Sequence, residues 1–341
     1  MSMKRTGKTL WKLGATASSL CITLFGLVVI TFFIGRVMAI DPVTAILGDH
    51  ARPEVVARMR AELGLDRPLL VQFWIYLKQL AHGDLGVSIM TSNNVLDDIR
   101  RYFPATVELG TTAMILATLF GVPLGVLSAV KRNSRIDQVV RVFSLVGHST
   151  PIPVLGLIAL LVFYAKLGWA PGTGRVGVAY SGMTPEVTGF LTIDALLNDD
   201  PDTFWNAVQH LALPSCVLAY FSMAYILRMT RSFMIDALGG EYVITAKAKG
   251  LSPSTVIWKH AFANISVRLI TVLALTYAGL LEGAVVTETI FSWPGIGQYM
   301  TVSLMNADMN AVIGATLVVG SVYMLMNLLA DIAYKVLDPR L

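Results

Sequence analysis

Residues 13 to 35 read LGATASSLCITLFGLVVITFFIG, a run without one charged side chain. A helix needs about 20 such residues to cross roughly 30 Å of hydrocarbon, because the bilayer interior offers backbone N–H and C=O groups no partner except their own helix. Lys4, Arg5, Lys8 and Lys12 precede the run and Val37-Met38-Ala39 follows it, an imitation of a secretory signal with its cleavage site. The uncharged run exceeds the roughly 7 to 15 residues of a signal h-region, so it reads as an uncleaved first membrane helix.

Five further apolar stretches lie at roughly 106 to 130, 142 to 165, 211 to 227, 266 to 287 and 309 to 330; the fourth is short and the fifth holds Glu282. The composition agrees. Of the 341 residues 55% are hydrophobic and 14% charged, whereas a soluble domain carries roughly 25% charged residues. The expected fold class is an all-α integral membrane protein with six transmembrane helices. With 26 Lys plus Arg against 22 Asp plus Glu, the net charge is too modest to point to nucleic acid. Cys21 and Cys216 sit far apart in apolar runs without metal-ligand neighbours, so neither a disulfide nor a metal site is indicated.

Lys and Arg collect in alternate loops, as the positive-inside rule requires if the spans are counted correctly. The N-terminal arm has four bases and no acid, and residues 131 to 141 carry Lys131, Arg132, Arg135 and Arg141 against Asp137. Residues 228 to 268 carry Arg228, Arg231, Lys247, Lys249, Lys259 and Arg268 against Asp236 and Glu241. The opposite loop is acidic, with Glu186, Asp194, Asp199, Asp200 and Asp202 against Lys166 and Arg175. Both termini are therefore expected in the cytoplasm. Residues 1–35 form the arm and first span, 36–103 an outer insert, and 104–341 a five-helix core containing the cytoplasmic loop 228–268. Within the insert, Pro53 to Leu63 (Val55, Val56, Met59 and Leu63 on one face) and Leu69 to Leu80 read as short amphipathic helices.

The basic loop contains EYVITAKAKGLSPSTVIWKHAFAN, residues 241 to 264. Its grammar is helix, break, helix. Good helix formers run to Lys249, Gly250 suits the positive φ that ends a helix, Ser252 suits an N-cap and Pro253 the first helical position. Leu251 and Val256 stand where a hydrophobic staple closes. The second helix is expected to present Val256, Ile257 and Phe262 among basic residues, as a knob for a partner protein.

This segment resembles the coupling loop of ABC-transporter permeases, in the form used by the dipeptide and oligopeptide permease family. The resemblance lies in Thr245-Ala246-Lys247-Ala248-Lys249-Gly250-Leu251 and in His260-Ala261 with Asn264. Ile244 stands where the wider superfamily has Glu, and Asn264 where it often has Pro. Further matches span nearly the whole chain: Gly83-Asp84-Leu85-Gly86-Val87-Ser88, Pro104-Ala105-Thr106-Val107-Glu108-Leu109, Ser149-Thr150-Pro151, Leu167-Gly168-Trp169-Ala170-Pro171 and Leu213-Pro214. Glu288-Thr289-Ile290-Phe291-Ser292-Trp293-Pro294-Gly295-Ile296-Gly297 and Asn327 to Tyr334 with Leu337-Asp338-Pro339-Arg340 complete them, while Pro153 occupies a place where the family has an aromatic residue.

The resemblance implies an ABC type I importer permease fold in a bacterial inner membrane, with 36–103 as a periplasmic insert. It implies half of a translocation pathway for di- or oligopeptides, worked by alternating access. The partners it implies are a second homologous permease subunit, two cytoplasmic ABC ATPases that bind ATP and Mg, a periplasmic solute-binding protein and membrane lipid. The coupling residues would be Ala246, Lys247, Ala248, Lys249, Gly250, Leu251, Ser252, Pro253, Val256, Ile257 and His260. Nickel chelates and glutathione are the alternative cargoes within the family; a secondary carrier, a channel and an intramembrane enzyme are the readings outside it.

Charges deep in a membrane face a cavity or a partner, which makes Glu282 and Glu288 candidates for the translocation path. His148 and Ser149, beside Pro151 and Pro153 in a span expected to kink, are two more. Gly121-x-x-x-Gly125 and Gly279-x-x-x-Gly283 offer close helix approach. Trp293 is expected to anchor a turn at the outer interface. No catalytic motif assembles: H-E-x-x-H and G-x-S-x-G are absent, and Gly7-Lys8-Thr9, which resembles the end of a phosphate-binding loop, has Ser2 where its first Gly belongs. The chain is expected to have no ATPase site, cofactor or metal of its own.

Overall fold

The structure is a computed structural model, and its described residues are 18, 21–34, 43, 51–62 and 66–337. The N-terminal arm and the tail at 338–341 lie outside them. The helices in chain order are α1 (Cys21–Phe33), α2 (Pro53–Glu62), α3 (Leu69–Ala81), α4 (Val95–Val130), α5 (Arg135–Ser149) and α6 (Ile152–Ala159), which widens into π turns over Leu160–Lys166. Then come α7 (Leu191–Leu197), α8 (Pro201–Leu238), α9 (Glu241–Ala248), a π-helical stretch over Thr255–Phe262 that runs directly into α10 (Ala263–Ile290), α11 (Ile296–Met305) and α12 (Met309–Leu337). Among the described residues there is no strand, only an isolated bridge between Val87 and Asn94. Helices α2 and α3 fall where the amphipathic pattern put them.

Among the described residues, four helical stretches are long and apolar enough to span: α4, α8, Thr255–Leu281 and Met309–Ala330. A fifth span exists only as α5 plus α6, bent by 103°. Pro151 has no N–H to continue the ladder and pushes its predecessor out of the helical region; Thr150 accordingly sits at φ −85°, ψ 122°. The kink expected from the prolines is therefore a sharp corner. Helix α8 is much longer than its apolar window of 211 to 227, because capping and not hydropathy sets its start. Asp200 accepts the Thr203 N–H at 3.1 Å and Pro201 takes the first helical position.

The chain divides into two compact units, Met1–Arg101 with Tyr299–Met324 and Tyr102–Gln298 with Leu325–Leu341. In the first, Phe32 of α1 meets Phe73 and Tyr76 of α3 at ring-centroid distances of 5.0 and 5.6 Å. Two buried carboxylates order the turns around 84–98: Asp308 accepts from the Ser88 hydroxyl, and Asp98 from Tyr299 at 3.0 Å and from the Thr91 hydroxyl.

The second unit is built around α4, α8 and α10. Ala105, Leu109, Ala113 and Ala117, four apart on α4, form a buried stripe against Leu211, Leu218 and Ile226 of α8 and Leu269, Leu280 and Ala284 of α10. Gly121 and Gly125 extend that stripe. A Cβ on Gly125 would lie 2.7 Å from Thr230 Cβ and 2.8 Å from the Leu227 carbonyl oxygen, so the helix backbones nearly touch there. Gly279 and Gly283 have nothing within 4 Å of an added Cβ. Among the described residues, the first of the two small-residue motifs packs helices together and the second does not. Trp293 is 1% exposed and its Nε1–H donates to the Ala105 carbonyl at 2.9 Å, so it plugs the core instead of anchoring at a membrane surface. Burial satisfies both its large apolar ring and its single donor.

The acidic segment 166–200 is tied to the same unit. Arg175 donates to Glu108 from Nη2 at 2.6 Å and Nε at 3.0 Å, and to the Gly189 carbonyl at 2.8 Å. Asp194 of α7 is buried and accepts from the Thr188 N–H and hydroxyl at 2.7 and 2.6 Å and from the Gly189 N–H at 3.0 Å. Burial pushes its pKa up, but the hydrogen bonds from Thr188, Val187 and Gly189 outweigh burial and hold the carboxyl below its ordinary value.

Two outcomes are expected. Gly125→Ala should destabilise the detergent-solubilised subunit by about 1–3 kcal/mol through overpacking, while Gly279→Ala leaves its thermal midpoint unchanged. Because the folded pKa of Asp194 is depressed, its stabilisation is complete above the ordinary carboxylate range and is lost as pH falls through the folded value. The protection factors of amides across 185–198, each rate referred to its intrinsic value at that pH, should therefore fall below about pH 4, and Asp194→Asn should flatten that acid-side fall.

Candidate coupling site

The segment from α9 through Phe262 has an inward and an outward face. Inward, Val243 and Ala246 of α9 and Val256 and Ala261 of the π stretch are buried with Val126 and Ala129 of α4, Met234 and Ala237 of α8, and Ile265 of α10. Gly250 takes φ +75°, which ends α9, and the space beside it is open. Ser252 caps the next helix: its Oγ accepts the Thr255 N–H at 3.3 Å and meets the Thr255 hydroxyl at 2.8 Å. The expected grammar of Gly250, Ser252 and Pro253 is what the structure shows. The second helix does not end within the loop. It continues without a break into α10, since nothing between Pro253 and Ile290 interrupts the ladder, and its first turns are wide.

The outward face differs from the expectation. Val256 is 2% exposed and Ile257 and Phe262 are only partly exposed, so these three anchor the segment to its own core. The apolar side chains that do project are Tyr242, Ile244, Leu251 and Trp258, with Trp258 47% exposed although its ring lies 5.3 Å from that of Phe262. Lys247, Lys249 and Lys259 are exposed around them, and none has an ion-pair partner among the described residues. Ala248, Ser252 and Pro253 are exposed, His260 is half-buried, and Ala246 is buried. Asn264 Nδ2 donates to the Tyr242 hydroxyl at 2.9 Å, closing α9 against the start of α10. The sequence signal for Trp258 was there to use: an aromatic residue beside lysine, in a loop outside the spans.

The translocation-path candidates are scattered. Glu288 is fully buried: it accepts from the Thr106 hydroxyl at 2.6 Å, the Gly297 N–H at 2.7 Å and the Gln298 N–H at 3.0 Å. It thereby caps the first turn of α11, a carboxylate at a helix N-terminus, and has no surface left for a solute. Its pairing to Thr106, far away in sequence, was not legible from spacing. His148 and Ser149 are exposed at the α5 corner, where the His148 ring stacks on Phe221 at 6.0 Å. The Glu282 side chain lies outside the described residues.

The chain matches the family described as binding-protein-dependent transport system inner membrane component over residues 121–341, and the N-terminal part of that family over residues 13–110. It belongs to that family. It is 43% identical to a probable D,D-dipeptide transport system permease protein of Escherichia coli, over 94% of each chain. It is 42% identical to a di/tripeptide transport system permease protein of Pseudomonas aeruginosa over 94% of this chain and 95% of the relative, and 39% identical to a dipeptide transport system permease protein of Escherichia coli over the same shares. The resemblance drawn from the coupling segment and its companion motifs thus holds along the chain, which is a multi-pass inner-membrane permease.

Ser252→Ala removes the cap of the π stretch, worth about 1 kcal/mol. Amide exchange at Ser254 to Ile257 should rise by about fivefold at that cost, with exchange in α4 and α8 unchanged.

Proposed function

We propose that this chain is one permease subunit of an ATP-driven importer of di- and oligopeptides and that its Tyr242, Ile244, Leu251 and Trp258 face docks on a cytoplasmic ATPase. What carries the substrate reading is near-complete coverage at 39 to 43% identity by relatives named for dipeptide or di/tripeptide transport. What supports the docking reading is that Tyr242, Ile244, Leu251 and Trp258 are exposed along a segment that also carries exposed Lys247, Lys249 and Lys259, none of them with an ion-pair partner among the described residues. Such a cluster suits a partner groove with an acidic rim.

The chain supplies no ATPase site; two partner ATPases bind ATP with Mg, and this chain pairs with a homologous permease to enclose the path. Both termini and the coupling segment face the cytoplasm. A binding protein delivers solute on the opposite side, and nucleotide-driven closure of the ATPases pushes the coupling segment, shifting the spans between two orientations.

Trp258→Glu tests the docking face. It should cut co-purification of the ATPase by about tenfold or more, as loss of a central aromatic anchor does, with the permease still inserted and folded. Undiminished co-purification contradicts the docking assignment. In vesicles carrying the whole complex, a labelled dipeptide should enter on ATP addition; entry of glutathione or a nickel chelate instead would move the cargo to the family's other solutes.

A further inference from the structure

Just behind the coupling core lies a carboxylate that neither the docking face nor the path accounts for. Asp137 of α5 has no exposed side-chain surface. Arg231 of α8 grips it with both prongs, Nε to Oδ1 at 2.8 Å and Nη2 to Oδ2 at 2.9 Å. Ser128 of α4 donates its hydroxyl to Oδ1, and the Asn133 N–H donates to Oδ2 at 3.0 Å. Arg141 lies 3.8 Å away at the edge of the cluster. One side chain therefore ties together the ends of three helices.

Those ends are the ones that carry the coupling segment. Val126 and Ala129 flank Ser128 on α4, and Met234 and Ala237 follow Arg231 on α8; all four line the core in which Val243, Ala246, Val256 and Ala261 are seated. A buried ion pair contributes little net stability compared with apolar packing of the same volume, because desolvation offsets the attraction. A bidentate fork does fix geometry, since two parallel N–H···O bonds allow neither sliding nor rotation.

We infer that Asp137 is a positioning residue of the transport cycle: by holding α4, α5 and α8 in fixed register it makes their ends and the coupling segment move as one body. This rests on the importer reading above. In vesicles containing the complete transporter and its binding protein, Asp137→Asn should keep the ATPase rate within about twofold while solute moved per ATP falls by about 3- to 30-fold, the range of single-residue coupling effects. Arg231→Lys, which keeps the charge but loses the fork, should fall between that variant and the wild type.

A purely structural role predicts instead that abundance, ATPase and transport decline together with an unchanged ratio, and that result overturns the inference. A second measurement needs no disruptive variant. Spin labels at exposed Arg132 and Glu241 of a complex whose Cys21 and Cys216 are replaced by alanine should keep their separation within about 2 Å between the resting and nucleotide-trapped states, while a change of about 5 Å or more, the scale of a one-turn ratchet, overturns it. If the wild-type complex hydrolyses ATP with no solute uptake, the importer reading falls first. Uptake by the wild type with an unaltered ratio in Asp137→Asn sinks this inference alone.

Discussion

Where Gly125 of α4 passes Leu227 and Thr230 of α8, there is no room for a Cβ, and much of the second unit follows from that close approach. Lipid tails are as apolar as leucine, so membrane helices gain little from hydrophobic association and rely on close van der Waals contact and on polar pairing. Small residues at 105, 113, 117, 121 and 125 supply the first along one face of α4. The second becomes available because of it: with the backbones this close, Ser128 comes within reach of the Arg231 and Asp137 pair less than one turn further on. The coupling core, which needs Val126 and Ala129 of α4 beside Met234 and Ala237 of α8, is seated on the same contact.

Carboxylates do the complementary work in this unit. Glu108 gathers Arg175 and Thr192, Asp137 gathers three helix ends, and Glu288 gathers Thr106 with the first N–H groups of α11. Each is nearly or fully buried, and each accepts from donors contributed by segments far apart in sequence. An unpaired carboxylate in such surroundings would cost several kcal/mol, so a buried one that is fully served specifies which segments meet. That logic separates Glu288 from a solute-binding role. An acid that waits for cargo must keep a lone pair free, and this one spends its acceptors on a helix start.

The sequence made the membrane helices legible because their signal is local: an apolar run of sufficient length has one physical outcome in a bilayer. The same holds for α2 and α3, for the Gly250 stop and for the Ser252 cap, each set by a few neighbouring residues. What stayed hidden was long-range or cumulative. The burial of Trp293 depends on Ala105, and that of Glu288 on Thr106, contacts that periodicity does not encode. Val256, expected on the partner side, is instead seated in the core with α4 and α8, contacts made far away in sequence, and Trp258 is the residue left exposed. The 103° corner at Pro151 was expected only as a kink, because two prolines announce a break but not its angle.

Continuity between the π stretch and α10 constrains how a displacement of that stretch can be transmitted. A coupling helix separated from its span by a loose joint would dissipate displacement there. Here the joint at Asn264 is closed, with helix on both sides and Tyr242 held by the Asn264 amide. At the other end Gly250 ends α9 with a left-handed φ. A displacement of the Trp258 turn would therefore be carried along α10 and, through the core shared by Val243, Ala246, Val256 and Ala261, to the ends of α4 and α8. Val243, Ala246, Val256 and Ala261 are seated inward with Ile257 and Phe262 packed against them, while Tyr242, Ile244, Leu251 and Trp258 are exposed, so exposure of these four does not loosen the anchorage of the segment. A segment continuous with one span and seated on the ends of two others fits a transmitter of force better than a linker that merely connects two spans.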